Sequence, residues 1–352
     1  MLFNVPIEPL EERYSIDWNN WIESFFLKSK GDFQFKTIFG DPLTNKIEHG
    51  SFLDVCGTNY YKASQLQKIA KLIYDGKVKD GDIFFFHDLW FPGLEMLAYM
   101  RDGLGIDFKI TGILHAGTWD EWDFLSQKHM EYWAFKIEEG WFNLVNAIFV
   151  ATEYHRKLIL SKRAVGACKI YATGLPIYNR EGQDGLLSKP FWDEKKENII
   201  VFPHRLDPEK QPGFFDELGK DLKKRSETFK DWQFIKTKDV CRDKQEYYDL
   251  LRRSKIAVSF ATQETWGIAM QEALFAGCVP VVPNRLSYPE MYNAGLIYND
   301  GIAHAEELLL KVVAASSRYC SYASADRLTL LERGAKALPT IFSILQRIGN
   351  VK

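Results

Sequence analysis

The sequence predicts an α/β protein of two successive domains, each a parallel sheet covered by helices. Three observations carry that expectation. Short apolar runs alternate with segments of helical periodicity along the whole chain, as βαβ units require. The stretch from Gly174 to Lys196 holds Gly, Pro, Ser and Asp without periodicity and reads as a connector between two such sets. Between Ile256 and Val282 the chain reads as strand, tight loop, helix and strand, a βαβ unit of the parallel kind.

In the first set, the start from Met1 to Pro6 is too short for a signal peptide and lacks its charged front, and Leu2 to Val5 reads instead as the opening strand. A helix capped by Ser15 or Asp17 follows, running through Trp21 to Phe26. Phe33 to Ile38 and Phe52 to Val55 are read as strands, and Ala63 to Tyr74 as an amphipathic helix closing before Asp75-Gly76. Asp82 to Phe86 is a buried strand ending at His87-Asp88. Leu94 to Met100 is helical, and Lys109 to Leu114 is a strand ending at His115. Phe124 to Gly140 reads as one long helix, Ala147 to Val150 as a strand, Glu153 to Leu160 as a helix and Lys169 to Ala172 as a strand.

The second set begins with a strand at Asn198 to Phe202 and a helix at Phe214 to Lys224. Trp232 to Lys236 is a strand and Lys244 to Arg253 a helix. Ile256 to Phe260 and Val279 to Val282 are strands around a helix ending near Gly277, and Leu296 to Tyr298 adds another strand. Helices at Ala303 to Ala315 and Ala323 to Ile348 close the chain. The expected domains are therefore 1–175, a connector at 176–196, a second domain at 197–322 and a terminal helix at 323–352.

A length of 352 residues suffices for two ordinary cores. Hydrophobic content of 46% with 26% charged residues is that of a water-soluble protein, and no run of 18 apolar residues spans a membrane. Five scattered cysteines without C-x-x-C spacing argue against a disulfide framework and a zinc site, and for a reducing, cytoplasmic setting. A net charge of −2 does not favour a chain clamped on nucleic acid. The basic run of Lys220, Lys223, Lys224 and Arg225 reads as a solvated helix face.

Candidate chemistry gathers at strand ends. Glu264 falls in the loop after a strand, where open α/β sheets bind ligands, and Glu272 lies about two helical turns further on. The amino end of the intervening helix offers N–H groups and a positive dipole to a phosphate. Two carboxylates beside an anion-binding helix end suit a nucleotide sugar, the acids taking hydroxyls and the helix a diphosphate. Arg205 and Lys210 place two cations at another strand end. His87-Asp88 and His115 close two strands of the first set. That set is also rich in tryptophan, with Trp90 and Trp119 at strand ends as candidates to stack on a flat acceptor.

The segment from Ser259 to Val282, with Glu264 and Glu272 in an E-x7-E motif, resembles the retaining glycosyltransferases of the GT-B type, specifically their family 4. Phe202 to Pro212, carrying Arg205 and Lys210, resembles the same family, although His204 and Gln211 stand where it usually has Gly. The resemblance implies a GT-B fold of two facing Rossmann-like domains with a cleft between them. It implies a UDP- or GDP-sugar as co-substrate, with no permanently bound cofactor. The nearest carboxylate pairs, Asp120/Asp123 and Asp80/Asp82, lack the setting of an Asp-x-Asp metal motif, so catalysis without a metal is expected. The resemblance also implies that Glu264 contacts sugar hydroxyls, Glu272 the ribose, and the amides of Thr265, Trp266, Gly267 and Ile268 sugar or phosphate. Arg205 and Lys210 then neutralise the diphosphate, His115 stands beside the reacting sugar, and the last helix packs back on the first domain. Asp88 is the candidate to orient or deprotonate the acceptor, with Trp90, Trp119 and Tyr14 as its contacts.

For the acceptor, the opening Asn4 to Ser15 and the segment Asp88 to Glu95 resemble phage-encoded glycosyltransferases, several of which act on 5-hydroxymethylpyrimidines in DNA. Pro203 to Lys210 and Pro283 to Tyr292 resemble the enzymes that mannosylate queuosine in transfer RNA, with Tyr288-Pro-Glu290 placed to touch the nucleotide base. The DNA acceptor leads, with tRNA or a glycan as alternatives. A non-catalytic nucleotide-sugar-binding module is the reading from another class. A hydride-transferring enzyme is disfavoured, since no G-x-G-x-x-G follows a strand.

Overall fold

Strand β1 (Leu2–Val5) lies inside a sheet whose order, among the described residues, is β2-β1-β3-β4-β5-β6, with every neighbouring pair parallel. The other strands are β2 (Phe35–Thr37), β3 (Ile83–Phe86), β4 (Lys109–Ile113), β5 (Ala147–Val150) and β6 (Ile170–Ala172). Helices α1 (Ser15–Lys28), α2 (Val55–Tyr74), α3 (Leu94–Leu104), α4 (Phe124–Gln127), α5 (Glu131–Leu144) and α6 (Glu153–Lys162) connect them. The computed structural model describes residues 1–9, 15–29, 34–43, 54–176 and 190–349. The chain divides into two compact units, Met1–Ile177 with Gly334–Lys352, and Tyr178–Arg333.

The strands of this first unit are apolar on both faces, as a doubly covered parallel sheet demands. Phe84, Phe85, Phe86, Ile148 and Phe149 are all fully buried. Three sequence expectations need correction here. Val55 opens a helix instead of closing a strand, because the Asp54 side chain accepts from the amides of Cys56 and Gly57 and so caps that helix; residues 52 and 53 lie outside the described residues. The expected helix from Phe124 to Gly140 is two helices, since His129 takes a left-handed φ of 55° that no helix carries through. The last helix begins at Ser316, not Ala323.

The second unit holds α7 (Pro212–Arg225), α8 (Thr237–Val240), α9 (Lys244–Arg253), α10 (Ile268–Phe275), α11 (Tyr288–Met291) and α12 (Ile302–Ala314). Its strands are β7 (Glu197–Phe202), β8 (Gln233–Lys236), β9 (Ser254–Val258), β10 (Val279–Pro283) and β11 (Ile297–Tyr298). They pair in parallel in the order β11-β10-β9-β7-β8. From β7 the chain goes to one side for β8 and to the other for β9, so the topological switch point lies between β7 and β9. Ligands bind outside the carboxyl ends of strands at such a point. Helix α13 (Ser316–Ile348) contributes residues to both units, and in the first unit its Phe342 ring lies 5.9 Å from Phe25 and 5.8 Å from Phe26.

At the opposite edge of the second sheet one buried lysine ties three elements together. Lys196 Nζ donates to the carbonyls of Arg252 (2.9 Å), Ser254 (2.7 Å) and Ala276 (3.0 Å), which end α9, open β9 and follow α10. Replacing it strips three carbonyls, and an unsatisfied buried group costs about 1–3 kcal/mol. Lys196→Met is therefore expected to lower the unfolding free energy of this unit by at least about 2 kcal/mol in urea titration.

Candidate functional site

Two loops flank the switch point of the second unit, and the sequence places the chemistry on both. After β9, Glu264 turns its carboxylate back onto its own loop. Its Oε1 accepts from the amides of Gly267 (2.8 Å) and Thr265 (3.2 Å). Gly267 makes this possible with a φ of +62°, a conformation that glycine adopts without a Cβ penalty. After β7, Lys210 reaches across to the same carboxylate, its Nζ 3.5 Å from Glu264 Oε2, and it also donates to the Gln263 carbonyl. Thr262 joins the loops a second time, its amide and hydroxyl both donating to the Glu209 carbonyl at 2.8 and 3.0 Å.

Burial pushes the Glu264 carboxyl up, but Lys210 and the loop amides outweigh it and hold the group below the ordinary range. Glu264 is therefore an anion at neutral pH. Lys210 is only 6% exposed, so the pair works in a poorly hydrated setting. Arg205 is more open and lies 3.2 Å from Asp207 and 3.1 Å from Glu209. His204 fills the place where the resembled family usually has glycine. It is buried against Phe202, with ring centroids 5.1 Å apart.

The structure thus brings Glu264, Lys210, Thr265 and Gly267 together. It also changes how two of them are read. The amides of Thr265 and Gly267, expected to meet sugar or phosphate, are engaged by Glu264 itself. Trp266 contributes no open ring face: it is 2% exposed, with the Arg333 guanidinium 5.5 Å from its ring. Ile268 is the first residue of α10. Glu272, on the same helix, is held by the hydroxyls of Tyr247 (2.8 Å) and Tyr248 (3.0 Å) of α9. Tyr288, expected in a base-contacting loop, is fully buried and shares a 2.7 Å hydrogen bond with the Ser259 hydroxyl.

Sequence reasoning missed several residues that shape this site. Arg285 donates to the carbonyls of Ala261 (2.9 Å) and Phe260 (2.6 Å), fixing the start of the Glu264 loop. It lies 24 residues from Ala261, and no local pattern couples the two. Tyr247 and Tyr248 lie similarly far from Glu272.

In the first unit the switch point falls between β1 and β3, and it is filled. His87 sits between Asn4 (2.7 Å) and Asn19 (3.0 Å), and Gln65 donates to the Pro6 and Ile38 carbonyls. Next to it Asp88 receives the buried Lys62 ammonium at 2.7 Å and the Trp90 amide at 3.0 Å. His115 donates from Nε2 to the His87 carbonyl at 2.8 Å, and burial lowers its pKa against the pull of Asp88. His115 and Asp88 are thus neighbours at one sheet edge.

The aromatic acceptor expectation is partly overturned. Trp119 is 3% exposed and packs 5.6 Å from Phe142 and 6.0 Å from His155, so its ring has no free face to stack on an acceptor. Trp90 is half-buried, donates from its indole to Glu138 at 3.2 Å, and packs edge-on against Trp133 and Trp141. Tyr14 lies outside the described residues. Among the described residues, no cluster of three His, Cys, Asp or Glu side chains is arranged to hold a metal ion, and no helix is long and apolar enough to cross a membrane.

Buried imidazoles set the response to acid. Burial lowers His87, His155 and His204 from 6.5 to about 3. In the unfolded chain each protonates near 6.5, so below that pH the unfolded state takes up protons that the folded state refuses. Stability present above about pH 6.5 is then lost progressively towards about pH 3. Two carboxyls oppose this: burial raises Asp123 to about 7 and Asp326 to about 6, so they hold protons in the folded state. The imidazoles outnumber them. The melting temperature is expected to fall from pH 7 to pH 5, and to fall more steeply in Asp123→Asn, as calorimetry would record.

No protein-family model matches the chain. A stretch of 129 residues is 31% identical to the tRNA-queuosine alpha-mannosyltransferase of Drosophila melanogaster, taking in 31% of this chain and 34% of that enzyme. The chain thus matches about a third of that curated relative's length. Among solved structures, the sucrose-phosphate synthase of Thermosynechococcus elongatus matches with a TM-score of 0.66 at 10% identity over 98% of each chain. TarM of S. aureus, in a complex containing UDP, matches with a TM-score of 0.56 at 17% identity, over 82% of this chain and 59% of that one. The trehalose 6-phosphate synthase of Burkholderia multivorans gives 0.59 at 11%, over 85% and 77%. The fold is that of the GT-B glycosyltransferases. At these identities the structural likeness is one of architecture, two Rossmann-like domains with parallel sheets.

Proposed function

We propose that the chain is a retaining glycosyltransferase that works without a metal and moves a sugar from a nucleoside-diphosphate sugar to a hydroxyl acceptor. The observation that carries this reading is the anionic Glu264, held by its own loop amides and by the buried Lys210 at the switch point of the second sheet. In this reading Glu264 accepts from donor-sugar hydroxyls. Lys210 and Arg205 stabilise the negative charge that grows on the diphosphate as the bond from the anomeric carbon to the phosphate oxygen breaks. The acceptor oxygen bonds to the same face of that carbon, and its proton passes to the departing phosphate oxygen. His115 and Asp88 line the acceptor side, Asp88 orienting the hydroxyl while Lys62 fixes the position of its carboxylate at 2.7 Å.

For the acceptor, the identity to a tRNA-queuosine mannosyltransferase supports a modified nucleoside in tRNA. A second reading, a 5-hydroxymethylpyrimidine in DNA, is favoured by the resemblance of the segment from Asp88 to Glu95 to phage-encoded enzymes. The test is release of nucleoside diphosphate from a panel of UDP- and GDP-sugars, offered queuosine-containing tRNA, hydroxymethylcytosine DNA or no acceptor, with chelator present. Acceptor-dependent release with tRNA supports the first reading, and with DNA the second. The anomeric proton coupling of the product tests retention. Silence with every donor would contradict the enzyme reading.

A further inference from the structure

Both positions at which the loop after β7 departs from the resembled family carry a side chain with a buried polar atom. His204 Nε2 and Gln211 Oε1 have no hydrogen-bond partner among the described residues. An unpaired buried polar atom is costly, and native proteins keep few of them. His204 is the more enclosed of the two, at 2% exposed, with its ring edge-on to Phe202. Gln211 has a φ of 55°, the left-handed region that glycine enters freely, so its backbone keeps a glycine-like path although it carries a side chain. Charge decides what the imidazole can meet. The charges that act on the ring are those of Lys210, Glu264 and Arg205. Burial first, and then Lys210, hold His204 down at about 3, so the ring is neutral at physiological pH. A neutral imidazole adds one N–H donor to a loop that already holds two cations, without a third positive charge to repel them. Such a set suits an anion with several oxygens, and hydrogen bonds to a charged acceptor are the stronger kind.

We propose that His204 is a binding residue for the diphosphate of the nucleotide donor, donating from Nε2 to a non-bridging phosphate oxygen. The inference rests on the reading of the second unit as the donor site. Glycine has no side chain to offer at this position, so the contact is one that the usual family pattern does not supply. The bound donor then provides the partner that the fold withholds from Nε2. The ring also packs on Phe202, so a role in filling space has to be separated from a role in binding. A residue that only fills this place is indifferent to its N–H.

Calorimetric titration of UDP and GDP into wild type, His204→Phe and His204→Gln makes the separation, because the two substitutions remove different things. Phenylalanine keeps a ring against Phe202 and removes the N–H. Glutamine loses the ring and keeps an amide N–H. His204→Phe is expected to bind the nucleotide roughly tenfold to a hundredfold more weakly than wild type, the worth of one hydrogen bond to a charged group. His204→Gln is expected to stay within about threefold of wild type. A folded His204→Phe that keeps wild-type affinity overturns the proposal, spares the donor site and leaves His204 as a packing residue. Equal losses in the two variants make the shape of the ring the requirement and overturn it too. Where His204→Phe fails to fold, the His204 Nε2 signal in the NMR spectrum of wild type decides, assigned by its absence from His204→Gln. That signal is expected to move at saturating UDP or GDP, and a signal that stays in place overturns the proposal. Wild type that binds neither nucleotide removes the donor-site reading and this inference together.

Discussion

Glu264→Gln is expected to lower release of nucleoside diphosphate by roughly a hundredfold to a thousandfold, the scale set by removing one preorganised electrostatic contact from an active site. The substitution keeps the shape of the side chain and removes its charge. A glutamine still offers one carbonyl oxygen to the Thr265 and Gly267 amides, but its NH2 group then faces the Lys210 ammonium, donor against donor. In the proposed mechanism donor hydroxyls lose an ionic acceptor, and Lys210 loses the carboxylate that lies 3.5 Å from it. Because the Glu264 carboxyl is held below its ordinary range, the wild-type pair is intact at neutral pH. It is lost only as pH falls through that lowered pKa. The variant is therefore expected to be impaired across neutral pH, as initial rates at saturating donor would show. Activity within a fewfold of wild type would remove Glu264 from the mechanism.

The largest stability effect is expected at Glu138→Ala in the first unit, at about 3–5 kcal/mol, the cost of breaking a buried ion pair from one side. Glu138 is fully buried. Its carboxylate accepts from Thr118 N (2.8 Å), Thr118 Oγ1 (2.6 Å), Trp90 Nε1 (3.2 Å) and Arg163 Nη2 (2.9 Å). Truncation strands the Arg163 guanidinium, itself 3% exposed in its side chain, together with an indole and a hydroxyl. Glu138→Gln keeps one acceptor oxygen and is expected to cost less. Denaturant titration of both variants checks the order, and a Glu138→Ala midpoint equal to wild type would mean that the network is not cooperative.

Most of the fold was legible because parallel strands covered on both faces must be apolar throughout. Phe84 to Phe86, Ile148 to Val150 and Ile256 to Val258 announce themselves in this way. The errors fall where one side chain or one φ decides the matter. Asp54 turns an expected strand end into a helix start, and His129 splits α4 from α5. At the site, Glu264 and Lys210 were readable because each follows a strand in a short loop. Their mutual contact crosses 54 residues, and no periodicity reports it. The same holds for the Tyr247 and Tyr248 contacts with Glu272 and for the Lys62 contact with Asp88, which are properties of packed helices. Trp119 shows the converse error. A tryptophan at a strand end reads as an exposed platform, yet the turn at Gly117 folds over the ring so closely that an added Cβ would lie 1.9 Å from it.

The claim that the carboxyl edge of the second sheet binds a nucleotide donor is tested most directly by titrating UDP and GDP into wild type and into Arg205→Ala/Lys210→Ala. Wild type is expected to bind at least one of the two. The double variant is expected to bind it at least a hundredfold more weakly, since both cations proposed to meet the diphosphate are gone. Equal affinity in the two proteins, or no binding of either nucleotide to wild type, would contradict the account.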